Sequence, residues 1–178
     1  LDPIALLMDE HQIILGVLGQ LDAWTHTADG PDSPARLAKI CDFLFHFVDP
    51  IHHIKEEDLL FPAMVDHGFS RNHGPIAVML HEHVQGRVLT DTLAQIARKT
   101  APWSPQELTA ARSAARDYAA LLTQHIHKED EVLYPMARAR LPPAEMERLG
   151  LQMDLINQSP ERATARERLL AAARLLSG

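Results

Sequence analysis

His52-His53-Ile54-Lys55-Glu56 and His125-Ile126-His127-Lys128-Glu129 are one motif written twice. Each copy has a His, a Lys three positions later and a Glu directly after the Lys. Their tails match as well, Leu60-Phe61-Pro62 against Leu133-Tyr134-Pro135. A shorter pair accompanies them, Glu10-His11 and Glu82-His83. His11 precedes His52 by 41 positions and His83 precedes His125 by 42, so one half of the chain repeats the other. Imidazole and carboxylate are ligands of borderline transition metals, and a doubled set points to a site for two ions. Two His–Glu pairs and two single His give four imidazoles and two carboxylates. That set suits two iron ions about 3–4 Å apart, and zinc or manganese fit the same donors. A zinc protease is excluded, because there is no His-Glu-x-x-His and His81-Glu82-His83 has the wrong spacing. The Glu-x-x-His of carboxylate-rich di-iron bundles is also missing.

Helices must position these side chains. Strand signals are nearly absent, whereas a capping residue followed by proline recurs at Asp2-Pro3, Ser33-Pro34 and Ser104-Pro105, and more weakly at Gly74-Pro75. Breaks fall at Asp29-Gly30-Pro31, at His67-Gly68 and at Thr100-Ala101-Pro102. The pattern predicts an all-α chain with four long helices over 3–28, 34–66, 75–99 and 105–139. Two shorter ones follow over 143–155 and 161–176. Pro50 should kink the second helix or make it irregular. Short links favour an up-down-up-down four-helix bundle.

Helical periodicity then sets an inward stripe on each helix. The stripes are Ile4, Leu7, His11, Leu15 and Leu18; Ala38, Cys41, Phe45, Val48, His52 and Glu56; Ile76, Met79 and His83; and Tyr118, Leu122, His125, Glu129 and Val132. The ligand candidates fall on the apolar faces. In an alternating bundle His11, His83, Glu56 and Glu129 all sit about 12–15 Å from one end at 1.5 Å per residue. Six groups therefore converge on one layer. His53, His127 and His81 point off that stripe and are expected at solvent or behind the site. His46, His67 and His73 are expected at the surface or in loops, and Cys41 in the core. Lys55 and Lys128 recur with the motif and are candidates to pair with neighbouring acids, and Glu10 and Glu82 are expected either to orient a neighbour or to face solvent.

Composition narrows the partners. At 178 residues, with 46 % apolar and 23 % charged residues, the chain can bury a core of ordinary size. A net charge of −7 argues against nucleic acid or an anionic membrane as a partner. Cys41 is the one cysteine, so an intrachain disulfide and a thiolate metal cluster are excluded. The apolar run from Ile4 to Leu21 is broken by Asp9, Glu10 and His11, and reads as neither signal peptide nor membrane span. A reducing cytoplasm is the expected location.

These residues resemble the hemerythrin-like family, the HHE cation-binding domain. The matching segments are Met8-Asp9-Glu10-His11, the run from Phe47 to Pro62, the run from Gly74 to Arg87, His125 to Glu129 and Leu133 to Ala137. The resemblance covers about residues 5–139. It implies a four-helix bundle over 1–140 with a non-haem di-iron centre, oxo- or hydroxo-bridged. The ligands it carries over are His11, His52, Glu56, His83, His125 and Glu129, with the two glutamates bridging. Residues 141–178 fall outside it and are expected to form a helical extension on the bundle or at a homodimer contact.

One departure stands out. Oxygen-carrying hemerythrins have a further His one turn from its partner on the third helix, but here Met79 and Arg87 flank His83. His81 lies about 160° around the helix from His83 and does not replace it. Either Glu57, Glu10 or a water fills the gap, or the site has an extra open position, which favours catalysis over reversible carriage. Arg87 and Tyr118 are further candidates behind the ligands. The expected partner is a small oxidant: dioxygen, hydrogen peroxide or nitric oxide. Three uses follow: binding or sensing oxygen, an oxidoreductase, and iron storage or donation. Leu7, Leu15, Phe45, Met79 and Leu122 are the expected apolar walls.

Overall fold

Asp2 accepts hydrogen bonds from the amides of Ile4 and Ala5 at 2.9 and 3.2 Å. The first helix, α1 (Pro3–Thr27), thus begins on a capped end with proline leading it. The computed structural model describes residues 1–27, 33–99 and 102–177. The expected break at Asp29-Gly30-Pro31 lies outside the described residues, as do Thr100 and Ala101. α2 (Ser33–Phe43) starts differently from expectation: the Ser33 hydroxyl makes no capping bond, and the Ser33 carbonyl accepts from the Trp24 indole at 2.9 Å.

From α2 the chain continues through two π-helical stretches, Leu44–His53 and Glu56–Leu60, into α3 (Phe61–Asp66). The junction residues Phe43, Ile54, Lys55 and Leu60 all keep right-handed helical dihedrals, so the run bends its register without ending. Pro50 lies inside the first π stretch. Proline has no amide hydrogen to give to an α-helical bond, and a π turn absorbs the mismatch by taking in one more residue.

α4 (Pro75–Ala97) opens after Gly74, whose φ of 74° suits glycine alone. α5 (Pro105–Lys128) opens on a complete capping box between Ser104 and Glu107. A third π stretch, Glu129–Leu133, joins α5 to α6 (Tyr134–Arg140), and α7 (Pro143–Gln158) and α8 (Pro160–Ser177) complete the chain. All regular structure among the described residues is helical.

α5 packs on both α1 and α4, and α2 also packs on both, so the four long helical runs close a ring. α7 and α8 lie against α1. α8 also touches α2 and the first π stretch, and α7 reaches the second. α1 is the one helix among the described residues long and apolar enough to cross a membrane, and it places Leu7, Ile14, Leu18 and Leu21 in the core.

The apolar interior is divided. One cluster gathers Ile14, Leu21, Trp24, Phe47, Tyr118 and Leu122, and the other gathers Leu7, Phe61, Met64, Met79, Leu133 and Leu149. Each helical run passes from one cluster to the other across buried polar residues. On α1 these are Glu10 and His11, on the second run His52 to Glu56, on α4 His83, and on α5 and its extension His125 and Glu129.

Two expected stripe positions are corrected. Ala38 is exposed while Leu37 and Ile40 are buried, and Val132 is 50 % exposed while Leu133 is 1 % exposed. Val132 lies inside the third π stretch, where a stride of 3.6 no longer holds, whereas at Ala38 the inward position one turn before Cys41 is taken by Leu37, four residues back rather than three.

Candidate metal centre

The polar layer is closed to solvent: His11, His52, His53, Glu56, His83, His125 and Glu129 are each at most 5 % exposed. Their ligand atoms form two groups. His11, His52, Glu56 and Glu129 make one, and His53, Glu56, His83 and His125 the other, with all atoms of a group within 4.8 Å of one another. Glu56 belongs to both. Glu129 also spans them, with one oxygen 3.3 Å from Nε2 of His11 and the other 3.2 Å from Nε2 of His125. The six residues expected as ligands are thus brought together in one place.

The rings are aimed by carboxylates behind them. Nδ1 of His11 donates to Asp130 at 2.7 Å and Nδ1 of His83 to Glu57 at 2.6 Å. Nδ1 of His52 donates to Glu10 and Nδ1 of His125 to Glu82, both at 3.0 Å. The internal repeat shows itself here. Glu10 and Glu82 occupy equivalent places, and each also receives the motif lysine, Lys55 or Lys128. Glu57 and Asp130, each following a layer glutamate, form the second equivalent pair. Glu57 and Glu10 therefore stand behind the histidines rather than in the gap beside His83.

With Nδ1 engaged, every Nε2 faces inward. His11 and His52 oppose their Nε2 atoms at 3.0 Å, and so do His83 and His125. Neutral rings held this way set lone pair against lone pair, an arrangement that a cation at each pair would relieve. Titration behaviour agrees. Burial pulls His11 down, but the hydrogen bond to Asp130 and the negative charges of Glu129 and Asp130 outweigh it and raise the ring to about 9. Burial lowers its partner His52 to about 4. In the second pair His125 is raised, because the Glu129 charge and the Glu82 hydrogen bond overcome burial, and His83 is lowered by burial. Within each pair, burial and the neighbouring carboxylates drive the two rings in opposite directions. Burial and the charge of Glu129 push Glu56 well above the usual carboxylate range.

Nε2 of His53, Oε2 of Glu56 and both oxygens of Glu129 are buried without a hydrogen-bond partner. Buried polar atoms are almost always partnered. Four orphaned lone-pair bearers of metal-ligating type in one layer fit a dinuclear metal site, and the residues present match that group.

His53 corrects the sequence expectation. It does not point off the inward face: it is 5 % exposed and stacks on His83 with ring centroids 3.8 Å apart. It brings an imidazole from a different helix to the side of His83, within the group of Glu56, His83 and His125. Two adjacent residues reach the same layer because they lie at the end of the Pro50 π stretch. Ile126, the counterpart of His53 in the second copy, is buried in the structure as well. His127 and His81 are exposed, as expected.

Tyr134 was visible only as part of the repeat tail. Its hydroxyl donates to Oε1 of Glu56 at 2.6 Å and lies 3.3 Å from Nε2 of His11. The Phe at the equivalent place, Phe61, packs over His83 as Tyr134 packs over His11.

Arg87 and Tyr118 lie to one side. Arg87 joins Asp49 at 2.7 Å to Glu57 at 2.6 Å, and thereby braces the carboxylate behind His83. Both line a cleft of about 110 Å³ that reaches His53 and Glu82. Tyr118 makes no hydrogen bond to the layer among the described residues, so its place is that of a wall. Cys41 is buried in the larger apolar cluster, and burial raises its thiol to about 12.

A family model described as the hemerythrin HHE cation binding domain matches residues 2–137. Among curated proteins the chain is similar to the iron-sulfur cluster repair protein YtfE of Salmonella typhimurium, 34 % identical over 116 residues. The same protein of Salmonella paratyphi B and of Salmonella newport matches to the same extent. Each alignment takes in 63 % of this chain and 51 % of the relative, so the chain spans about half the length of the curated relatives it matches.

Proposed function

The chain belongs to the hemerythrin HHE cation-binding domain family, and on that premise we propose that it is a non-haem di-iron protein that binds or reacts with a small oxidant: dioxygen, hydrogen peroxide or nitric oxide. The observation that carries this reading is the pair of buried four-residue groups sharing Glu56, with orphaned lone pairs on His53, Glu56 and Glu129. On this reading His53, His83 and His125 would hold one ion and His11 and His52 the other, with Glu56 and Glu129 placed between the two groups. The ring of long helical runs is read as an up-down-up-down four-helix bundle over residues 1–140, with 141–178 as an extension laid on it.

Iron bound there would supply electrons and a coordination position to the oxidant. The chain supplies the rest. Asp130, Glu10, Glu57 and Glu82 lock each ring with Nε2 free, which fixes tautomer and orientation. Leu7, Met79, Phe61 and Leu122 keep the layer dry from both sides. The cleft at His53 has room for a few waters, against the roughly 300–1,000 Å³ of pockets for larger ligands. That size favours a diatomic or a peroxide over an organic substrate. His53 fills the place on which an extra open position was argued, so the case for turnover no longer rests on a missing imidazole. Cys41, free and buried, accords with a reducing, cytoplasmic setting.

Iron donation is the second reading, favoured by the relatives named for iron-sulfur cluster repair. Anaerobic loading with ferrous iron, followed by Mössbauer and optical titration with each oxidant, separates the two. The first reading expects two irons per chain and a spectrum that responds to the oxidant while iron stays bound. Transfer of iron to an apo iron-sulfur protein without an oxidant response would favour donation. Unchanged iron content in His52→Ala and Glu129→Ala would sink both.

A further inference from the structure

We propose that Arg166 of α8, a residue beyond the segment that the family model matches, is a positioning residue of the metal centre: its charge holds Glu10, and Glu10 holds His52. The inference rests on the dinuclear reading above and gives the C-terminal extension a part in it.

One face of α8 carries Arg162, Arg166, Leu169 and Ala173, spaced four, three and four apart. Leu169 and Ala173 are buried in the larger apolar cluster. The two arginines meet polar partners instead. Arg162 donates from Nε to the carbonyl of Pro50 at 3.3 Å, inside the π stretch that ends on His52 and His53. Arg166 places Nη2 3.7 Å from Oε1 of Glu10. Away from this face, Arg168 pairs with Asp42 at 2.5 Å and ties the helix to α2. The packing of α8 thus delivers a guanidinium to the rear of the polar layer.

Glu10 is 1 % exposed, and its two oxygens do different things. Oε2 accepts from Nδ1 of His52 at 3.0 Å. Oε1 accepts from Lys55, itself wholly buried, and faces Arg166. Among the described residues Glu10 is the one acid in ion-pair contact with Arg166. At 3.7 Å that contact is one of charge rather than a hydrogen bond. A cleft of about 530 Å³ between α1, α7 and α8 has Glu10 and Arg166 among its lining residues, so water stands close to this corner. A carboxylate beside water can turn toward it. A second cation on the oxygen away from His52 opposes that turn, and Oε2 stays on the ring. His52 then keeps Nδ1 bound and Nε2 aimed into the layer, which is the orientation a metal needs.

The test titrates zinc into the whole chain, with affinity read by chelator competition. The wild type is expected to take two zinc ions per chain. Arg166→Met keeps the length of the side chain and removes its charge. It should weaken zinc binding about five- to tenfold, less than the ten- to hundredfold that loss of an outer partner itself costs. Arg166→Lys keeps the charge and should stay near the wild-type affinity. So should Arg168→Ala, an exposed position on the same helix. In a Glu10→Gln background, Arg166→Met should cost less than about twofold, because the coupling runs through the lost carboxylate. Direct repulsion between Arg166 and the ions acts in the opposite sense, so unchanged or tighter zinc binding by Arg166→Met would overturn the inference. An equal cost with and without the Glu10 carboxylate would also overturn it, since a merely structural role gives that result. The same holds if Arg166→Lys loses as much affinity as Arg166→Met. Fewer than two zinc ions in the wild type would instead remove the dinuclear reading itself.

Discussion

His11 carries its own proton in the metal-free protein, and a metal must displace it. Its pKa of about 9 means the ring is charged at pH 7 and becomes neutral only as pH rises through 9. A metal takes the neutral ring, so binding releases that proton below pH 9. Apparent affinity for zinc, used as a redox-silent probe, should climb with pH by about tenfold per unit for this proton and flatten above about 9. Calorimetry in buffers of different ionisation enthalpy would count the proton, and a pH-independent affinity with no proton release would contradict the assignment. His53 makes a separate claim. His53→Ala should lower affinity at least about ten- to hundredfold, since even loss of an outer partner costs that much, while His127→Ala, exposed on the outer face, should leave it unchanged in a chelator competition. Six of the seven layer residues were legible in the sequence because doubled motifs point them out. His53 was not, because on an α-helix its neighbour His52 lies about 100° away, and nothing in residue type announces that the helix there is widened.

The π stretches are what the helical elements add. Two of them, Glu56–Leu60 and Glu129–Leu133, begin on the two layer glutamates, and the third ends on His52-His53. All three therefore bracket the site, in keeping with the tendency of such bulges to mark functional positions. Helix extents were legible from caps, prolines and breaks, since those act locally. Register beyond a π stretch was not, because it depends on which carbonyl an amide selects. The slip can be tested at Leu133 and Val132. Leu133→Ala should destabilise by about 2–5 kcal/mol, as a buried leucine does, and Val132→Ala should stay within about 0.5 kcal/mol. Urea unfolding of both variants measures this. A larger cost at Val132 would restore the uninterrupted α-helical register.

At the scale of the molecule, the polar layer is a seam. It parts the apolar interior into a cluster around Trp24, Phe47 and Leu122 and another around Phe61, Met79 and Leu149. An apolar core would cohere across this plane by itself. Here the plane holds two carboxylates and opposed imidazole nitrogens, groups that are costly to bury unless paired. Both oxygens of Glu129 remain without a hydrogen-bond partner there. Metal ions would join all four long helical runs through that plane and turn the seam into a cross-link. Chelation should therefore lower the melting temperature well beyond what a surface ion would do. At metal concentrations near a thousand times Kd the linkage is worth about 4 kcal/mol, which for a chain of this size is about 8–16 °C. The loss should also be uneven. The smaller cluster draws on α3, α6 and α7, short elements that meet α1 and α4 on the far side of the layer. Hydrogen exchange of the metal-free chain should accelerate first at Phe61, Met64 and Leu133, and last around Trp24 and Phe47. Uniform acceleration across both clusters would show that the layer does not divide the molecule, and an unchanged melting temperature would show that no metal bridges it.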